Sequence, residues 1–249
     1  MDIEWQISRD DVARITTLVR QQANNPLVRA RRAKNLAKVK PQVRRKRFWS
    51  QMVSMRLTSV QRSGPNSHVA RFIRTDPFPL GYEATCAVES VETFIAKTLK
   101  GAGGIRHSNT IARQLAGNFQ LLADGEWAHA LQQCNRLIRP VSRRIEKEVA
   151  DYIQEMFRGF GPKQSRNFLQ ALGLTRFEIP IDSRVTRWLN NFGFPVWLSA
   201  TALADSNYYN FVSEGVQTLC ANSTVFPCVL DASIFALEDG DAWTDANVS

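Results

Sequence analysis

At 249 residues, 44% hydrophobic and 22% charged, the chain can bury a substantial core as one domain or two small lobes. It has no apolar run near the roughly twenty residues that span a bilayer. Its opening, Met1-Asp2-Ile3-Glu4-Trp5, lacks the basic-then-apolar form of a secretory signal, so a soluble cytoplasmic protein is expected. The net charge of +9 is unevenly placed, with 17 Lys/Arg against 5 Asp/Glu in residues 1–80 and 15 against 18 in the remainder.

Residues 8–22 carry a helical stripe, Val12, Ile15, Leu18 and Val19, which Asn24-Asn25-Pro26 should end. The segment 27–47 has helix-favouring composition interrupted at Pro41. It concentrates Arg29, Arg31, Arg32, Lys34, Lys38, Lys40, Arg44, Arg45, Lys46 and Arg47. Such a block suits a polyanion through counterion release, the plain alternative being a solvated helix face. Its few large apolar residues, Leu27 and Leu36, argue against a membrane-seated face. Phe48, Trp49, Met52, Val53, Leu57 and Val60 predict a buried helix. Residues 65–79 read as a loop, tightest at Asp76-Pro77-Phe78-Pro79. An amphipathic helix is expected over 83–100, through Val88, Val91, Phe94, Ile95 and Leu99. Gly101-Ala102-Gly103-Gly104 breaks it and lacks the strand-before-helix setting of a nucleotide loop. Helical runs follow at 106–123 and 126–138, divided by Asp124-Gly125.

From 141 to 157, Val141, Ile145, Val149, Ile153, Met156 and Phe157 form another stripe. Gly159-Phe160-Gly161 stops it, its two glycines allowing a tight turn with positive φ. Pro162 suits the first turn of a new helix running to about Leu172, with Gly173 placed to end it. Exposed amides at the start of that helix make an anion site fit for a phosphate, although a plain αα-corner has the same outline. After Ile181-Asp182-Ser183-Arg184-Val185, a helix over 183–191 carries Val185, Trp188 and Leu189 and stops before Gly193-Phe194-Pro195. Residues 197–219 give one or two helices, 225–237 begin extended and turn helical, and the acidic tail beyond Glu238 should fray. Cys86, Cys134, Cys220 and Cys228 lie far apart and read as buried thiols rather than a disulfide frame or metal site. Repeats and strand–helix alternation are absent, so the expected fold class is all-α.

Gly159-Phe160-Gly161-Pro162-Lys163, with Asp182 nineteen positions beyond Lys163 in an Ile-Asp-x-x-Val context, resembles the helix-hairpin-helix DNA glycosylases. Within them it is similar to the lysine-bearing branch that includes 8-oxoguanine DNA glycosylase/lyases. The likeness is strongest over 141–190. It implies a two-lobed all-α fold with the active site between lobes. The expected divisions are a basic N-terminal segment 1–47, a helical lobe 48–140, the hairpin and aspartate segment 141–190, and C-terminal helices 191–249 packing on the N-terminal part. It implies Lys163 as nucleophile and Asp182 as the catalytic carboxylate, for which a helix N-cap is the structural alternative. The DNA contacts expected are Gly159, Gly161, Arg158, Arg44, Arg45 and Arg47. Gln61 would fill the gap left by an extruded base, with Arg62 beside it, unless Gln61 merely ends its helix. Phe72 and Phe78 would wall a base pocket, unless they are core plugs.

A lysine nucleophile must be neutral, and Phe160 and Phe168 are the expected apolar surround that would help to discharge it. The resemblance implies double-stranded DNA with a modified base as partner and base flipping as the mode of access. A monomer is expected, without a membrane, cytoplasmic on the nucleoid, or nuclear in a eukaryote. No metal or cofactor is expected, apart from a monovalent cation the hairpin could hold, and the four-cysteine spacing for an iron–sulfur cluster is missing. Two departures are Arg184, where relatives often carry histidine, and the lack of matched residues for recognising 8-oxoguanine. Three functions follow: a glycosylase/lyase acting on an oxidised purine in base excision repair, the same scaffold excising a hypermodified viral base in antiviral defence, or a non-catalytic DNA-binding module.

Overall fold

The computed structural model describes residues 4–59, 61, 64–240 and 242–248. They form helices and loops with no strand among the described residues: α1 (Arg9–Gln21), α2 (Pro26–Asn35), α3 (Arg45–Leu57), α4 (His68–Ile73), α5 (Tyr82–Cys86), α6 (Val91–Ala102), α7 (Ser108–Leu121), α8 (Trp127–Asn135), α9 (Arg143–Met156), α10 (Pro162–Ala171), α11 (Ser183–Phe192), α12 (Ser206–Asn222) and α13 (Pro227–Glu238). Capping explains many of the starts. Ser8 closes a capping box with Asp11, Asn25 caps α2 ahead of Pro26, Ser142 caps α9, and Asp205 caps α12.

Two apolar cores build the molecule. The first gathers residues from Val43 to Leu174, around Phe48, Trp49, Met52, Leu115, Ile153 and Phe168. The second joins Ile15, Leu18, Val19 and Val28 of α1 and α2 to Ile181, Val185, Leu189, Tyr209 and Leu230 from the C-terminal part. The hairpin therefore belongs to the first core and the Asp182 segment to the second. Arg166 of α10, wholly buried, ties the two together. It donates to Glu178 (2.9 Å) and Asp151 (2.6 Å), and to Asn210 of α12 (3.1 Å).

Several local expectations change. The helix expected over 83–100 is two helices, α5 and α6, because Ser90 caps a fresh start at Val91. The loop expected over 65–79 contains α4, capped by Ser67. The basic segment leaves its helix at Asn35 rather than at Pro41. Val60 lies outside the described residues. The tail does not simply fray: Trp243 packs edge-on against Phe235, and Asp245 pairs with Arg29 at 2.6 Å. Cys86 is exposed while the other three cysteines are buried. Among the described residues, no single helix is long and apolar enough to cross a membrane.

Candidate active site at the glycine hairpin

The hairpin between α9 and α10 is braced from both sides. Asn118 of α7 accepts from the Arg158 N–H (2.8 Å) and donates to the Arg158 carbonyl (3.1 Å). Arg56, near the end of α3 and buried, donates to the Gly159 carbonyl (2.6 Å), Ser59 (3.0 Å) and Gln114 (2.6 Å). The side-chain amide of Gln164 donates to the Ser59 hydroxyl and to the Met55 carbonyl. Gly159 has φ +80°, and a Cβ there would stand 2.6 Å from Arg56 Nε, so no side chain fits. Gly161 departs from the expected positive φ: it is extended (φ −78°, ψ −174°) and begins α10 without a side-chain cap. A Cβ at Gly161 would meet nothing within 4 Å. The fold does not need glycine there, but a partner approaching the backbone would.

A cavity of about 1080 Å³ opens between the two cores. Lys163, in the first turn of α10, and Asp182 both line it. Asp182 Oδ1 accepts from the Arg184 and Val185 N–H groups at 2.9 and 3.0 Å, so it is the N-cap of α11. The preceding residue is held as well, the Ile181 N–H donating to the Tyr209 hydroxyl at 2.8 Å. Capping and cavity lining coexist. Asp182 Oδ2 faces Arg184 Nη1 at 3.4 Å, and that guanidinium also meets Asp239 at 2.5 Å. Arg184 is thus the aspartate's charge partner.

Burial holds the Lys163 amine below the ordinary lysine range. The carboxylates of Asp182 and Asp231 pull the other way, and Arg184 adds to the depression. The start of a helix, with its partial positive charge, also disfavours the ammonium. The expected apolar surround is not Phe160 and Phe168. These rings pack edge to face at 5.7 Å inside the first core and do not line the cavity.

One residue of the cavity went unnoticed in the sequence. Asp231 of α13 is almost fully buried, takes a hydrogen bond from Gln170 (2.9 Å) and faces Arg31 at 3.5 Å. Burial pushes its carboxyl up to about 6, against the pull of Arg31. The available signal was a lone acid among apolar neighbours, Cys228-Val229-Leu230-Asp231-Ala232.

The other expected contacts divide. Gln61 lines the cavity, its amide donating to the Leu57 carbonyl (2.5 Å) and accepting from the Arg106 N–H (2.9 Å). Arg62 lies outside the described residues. Arg158 and Arg44 are exposed. Arg45 lies 5.5 Å over the Trp127 ring. Arg47 is turned inward and donates to the Leu172 carbonyl at 2.7 Å. With Lys40 on the Leu174 carbonyl (2.6 Å) and Asn35 on those of Gln170 and Thr175, it satisfies the C-terminal end of α10. Much of the basic block therefore works inside the fold. Phe72 and Phe78 correct the pocket expectation: they meet edge to face at 5.9 Å, Phe72 buried in the first core and Phe78 packed on it, and neither lines the cavity. No group of three or more potential metal-ligating His, Cys, Asp or Glu side chains occurs among the described residues.

Comparison with solved structures places this architecture. A Methanocaldococcus jannaschii 8-oxoguanine glycosylase/lyase, in complex with 15mer DNA containing 8-oxoguanine, superposes with a TM-score of 0.67 at 13% identity. The match covers 93% of this chain and 100% of that one. The 8-oxoguanine DNA glycosylase of Thermotoga maritima gives 0.65 at 14% identity, over 94% and 99%. A second M. jannaschii structure, of its 8-oxoguanine DNA glycosylase, gives 0.62 at 14%, over 94% and 95%. The chain shares the all-helical fold of these 8-oxoguanine DNA glycosylases over nearly its whole length. No protein-family model matches the sequence, and no curated protein matches it.

Proposed function

We propose that the protein is a DNA glycosylase with lyase activity that extrudes a modified base from duplex DNA and removes it through Lys163. The observation that carries this is the meeting of Lys163, from the first core, with Asp182, from the second, on one open cavity beside an uncrowded Gly161. Neutral Lys163 Nζ attacks C1′ of the deoxyribose, the N-glycosidic bond breaks, and the base departs with its electron pair and takes up a proton. The adduct opens to a Schiff base, and loss of a C2′ proton then expels the 3′ phosphate by β-elimination. Asp182 stabilises the positive charge that grows on the sugar and carries protons to and from it. Gly161 and the uncapped start of α10 offer amides to a backbone phosphate. Arg31 and Asp231, which line the cavity, present a donor and a carboxylate to whatever base enters, with Gln170 holding Asp231 from behind. This chemistry requires no cofactor. An oxidised purine is the first substrate to test, given the proteins that share the fold.

Borohydride trapping on damaged duplex DNA tests the proposal. The wild type should form a covalent adduct, and Lys163→Gln should lose it while still binding DNA. Adduct formation by Lys163→Gln at the wild-type rate would move the nucleophile elsewhere.

A further inference from the structure

The cavity is larger than a bare nucleobase requires. Pockets that bury a drug-sized ligand measure about 300–1,000 Å³, and this one is about 1080 Å³. It also has a direction. Ser183, Thr186, Arg187, Asn190 and Asn191 all line it, at the three- and four-residue spacing that marks one helix face. From Asp182 to Asn190 that face runs roughly 12 Å at about 1.5 Å per residue. Trp197, also on the cavity lining, lies at its far end and is 78% exposed.

The exposure of Trp197 is built in. Asn190 grips the next residue from both sides, accepting from the Leu198 N–H and donating to the Leu198 carbonyl, each at 2.9 Å. Tyr208 donates its hydroxyl to the Trp197 carbonyl at 3.3 Å. A pinned loop thus holds an indole face in solvent beside a row of neutral amides and hydroxyls. The cations along the face are already engaged: Arg187 with Glu238 at 2.9 Å, and Arg184 with Asp182 and Asp239. Free cations suited to a run of phosphates are lacking here, which disfavours a flanking DNA strand. Amides, hydroxyls and an aromatic platform instead match a neutral, hydroxyl-rich group, whose C–H face stacks on a ring while its hydroxyls bond to amides.

We infer that the α11 face and Trp197 form a substituent subsite, so that the enzyme accepts a base carrying a bulky sugar-like group that extends from the catalytic pair toward Trp197. This rests on the glycosylase reading above and specifies its substrate class. The test compares three duplexes: one with a hydroxymethylated base, one with the same base hexosylated on that hydroxymethyl, and one with an abasic site. The abasic duplex has no base to recognise and reports only the Lys163 chemistry, by borohydride trapping. The wild type should release the hexosylated base at least ten-fold faster, by kcat/KM, than the unsubstituted one. Trp197→Ala and Asn191→Ala should each lower kcat/KM on the hexosylated duplex at least ten-fold more than trapping on the abasic duplex. Release of the hexosylated base no faster than the hydroxymethylated one, with abasic trapping intact, overturns the subsite and leaves the Lys163 chemistry standing. An equal loss on all three duplexes in Trp197→Ala overturns it too, making the indole a general DNA contact. Absence of trapping on any duplex defeats the glycosylase reading itself.

Discussion

Arg166→Met is the sharpest test of how the two cores are held together. The guanidinium lies wholly buried between them, 2.9 Å from Glu178 and 2.6 Å from Asp151. It is further bonded to Gln154 and Asn210, and it lies 5.3 Å over the Tyr209 ring. Removing it leaves the Glu178 carboxylate buried with only the Gln217 amide, at 3.1 Å. Asp151 suffers less, because it is partly exposed and keeps Lys147 at 2.6 Å. Breaking a buried pair by deleting one partner costs about 3–5 kcal/mol, against a total stability of about 5–15 kcal/mol for a typical domain. Urea unfolding should therefore show a large fall in midpoint for Arg166→Met. Glu178→Leu in the same chain removes the stranded charge and should restore about 2 kcal/mol or more, read as the coupling energy of a double-mutant cycle. A loss under about 1 kcal/mol in the single variant, or strict additivity in the double, would refute the view that this pair joins the cores.

Asp182→Asn should slow base release by about 10²-fold or more, as loss of a charge that stabilises the transition state does; release rates under single-turnover conditions decide it. An unchanged rate would leave Asp182 only its capping role on α11. Asp231 titrates in the folded protein near 6, up from 3.8, so the folded state keeps a proton that the unfolded chain gives up. Stability from this group is therefore lost as pH rises from about 4 to about 6, by about 3 kcal/mol at ~1.36 kcal/mol per unit. Asp231→Asn should abolish that part of the slope in urea midpoints measured across this window. Arg32, Lys38 and Arg44 are exposed members of the basic block. Replacing all three with alanine should weaken DNA binding and flatten its salt dependence by up to three phosphate contacts, which a salt titration of affinity would show; an unaltered slope would remove this face from the DNA interface.

Legibility followed the range of the interactions. Local punctuation was readable: Pro26 and Pro162 open helices, Gly159 takes the positive φ the turn demands, and Gly193 closes α11 in the left-handed region. Lys163 and Asp182 were singled out by the resemblance that Gly159 to Lys163 and Ile181-Asp182 carry, not by periodicity, and both line the cavity. Charge purpose was not. Arg47 and Lys40 look like surface cations, yet they meet carbonyls at the end of a helix more than 120 residues away, and composition carries no trace of that pairing. Phe72 and Phe78 failed as pocket walls for a related reason: Ser67 starts a short helix that turns Phe72 inward, and Phe78 follows it onto the core. Arg56 and Asn118, which brace the hairpin, and Asp231, which faces Arg31, are likewise long-range partners with no periodic signature.

Ion pairing decides which cation in the cavity is left able to discharge. Four cationic side chains line it: Arg31, Lys163, Arg184 and Arg187. Arg31 faces Asp231, Arg184 is shared by Asp182 and Asp239, and Arg187 holds Glu238. Lys163 alone of the four is in no ion pair among the described residues, although Asp182 and Asp231 are near enough to act on it through space. A guanidinium keeps its proton at any working pH, so placing arginines against the carboxylates uses up the negative charge that would otherwise fix an ammonium. Desolvation and the start of α10 then act on the one cation able to discharge. A lysine ion-paired to Asp182 would sit equally well in the fold and be a poor nucleophile. Arg184 between Asp182 and Asp239 is what prevents that arrangement.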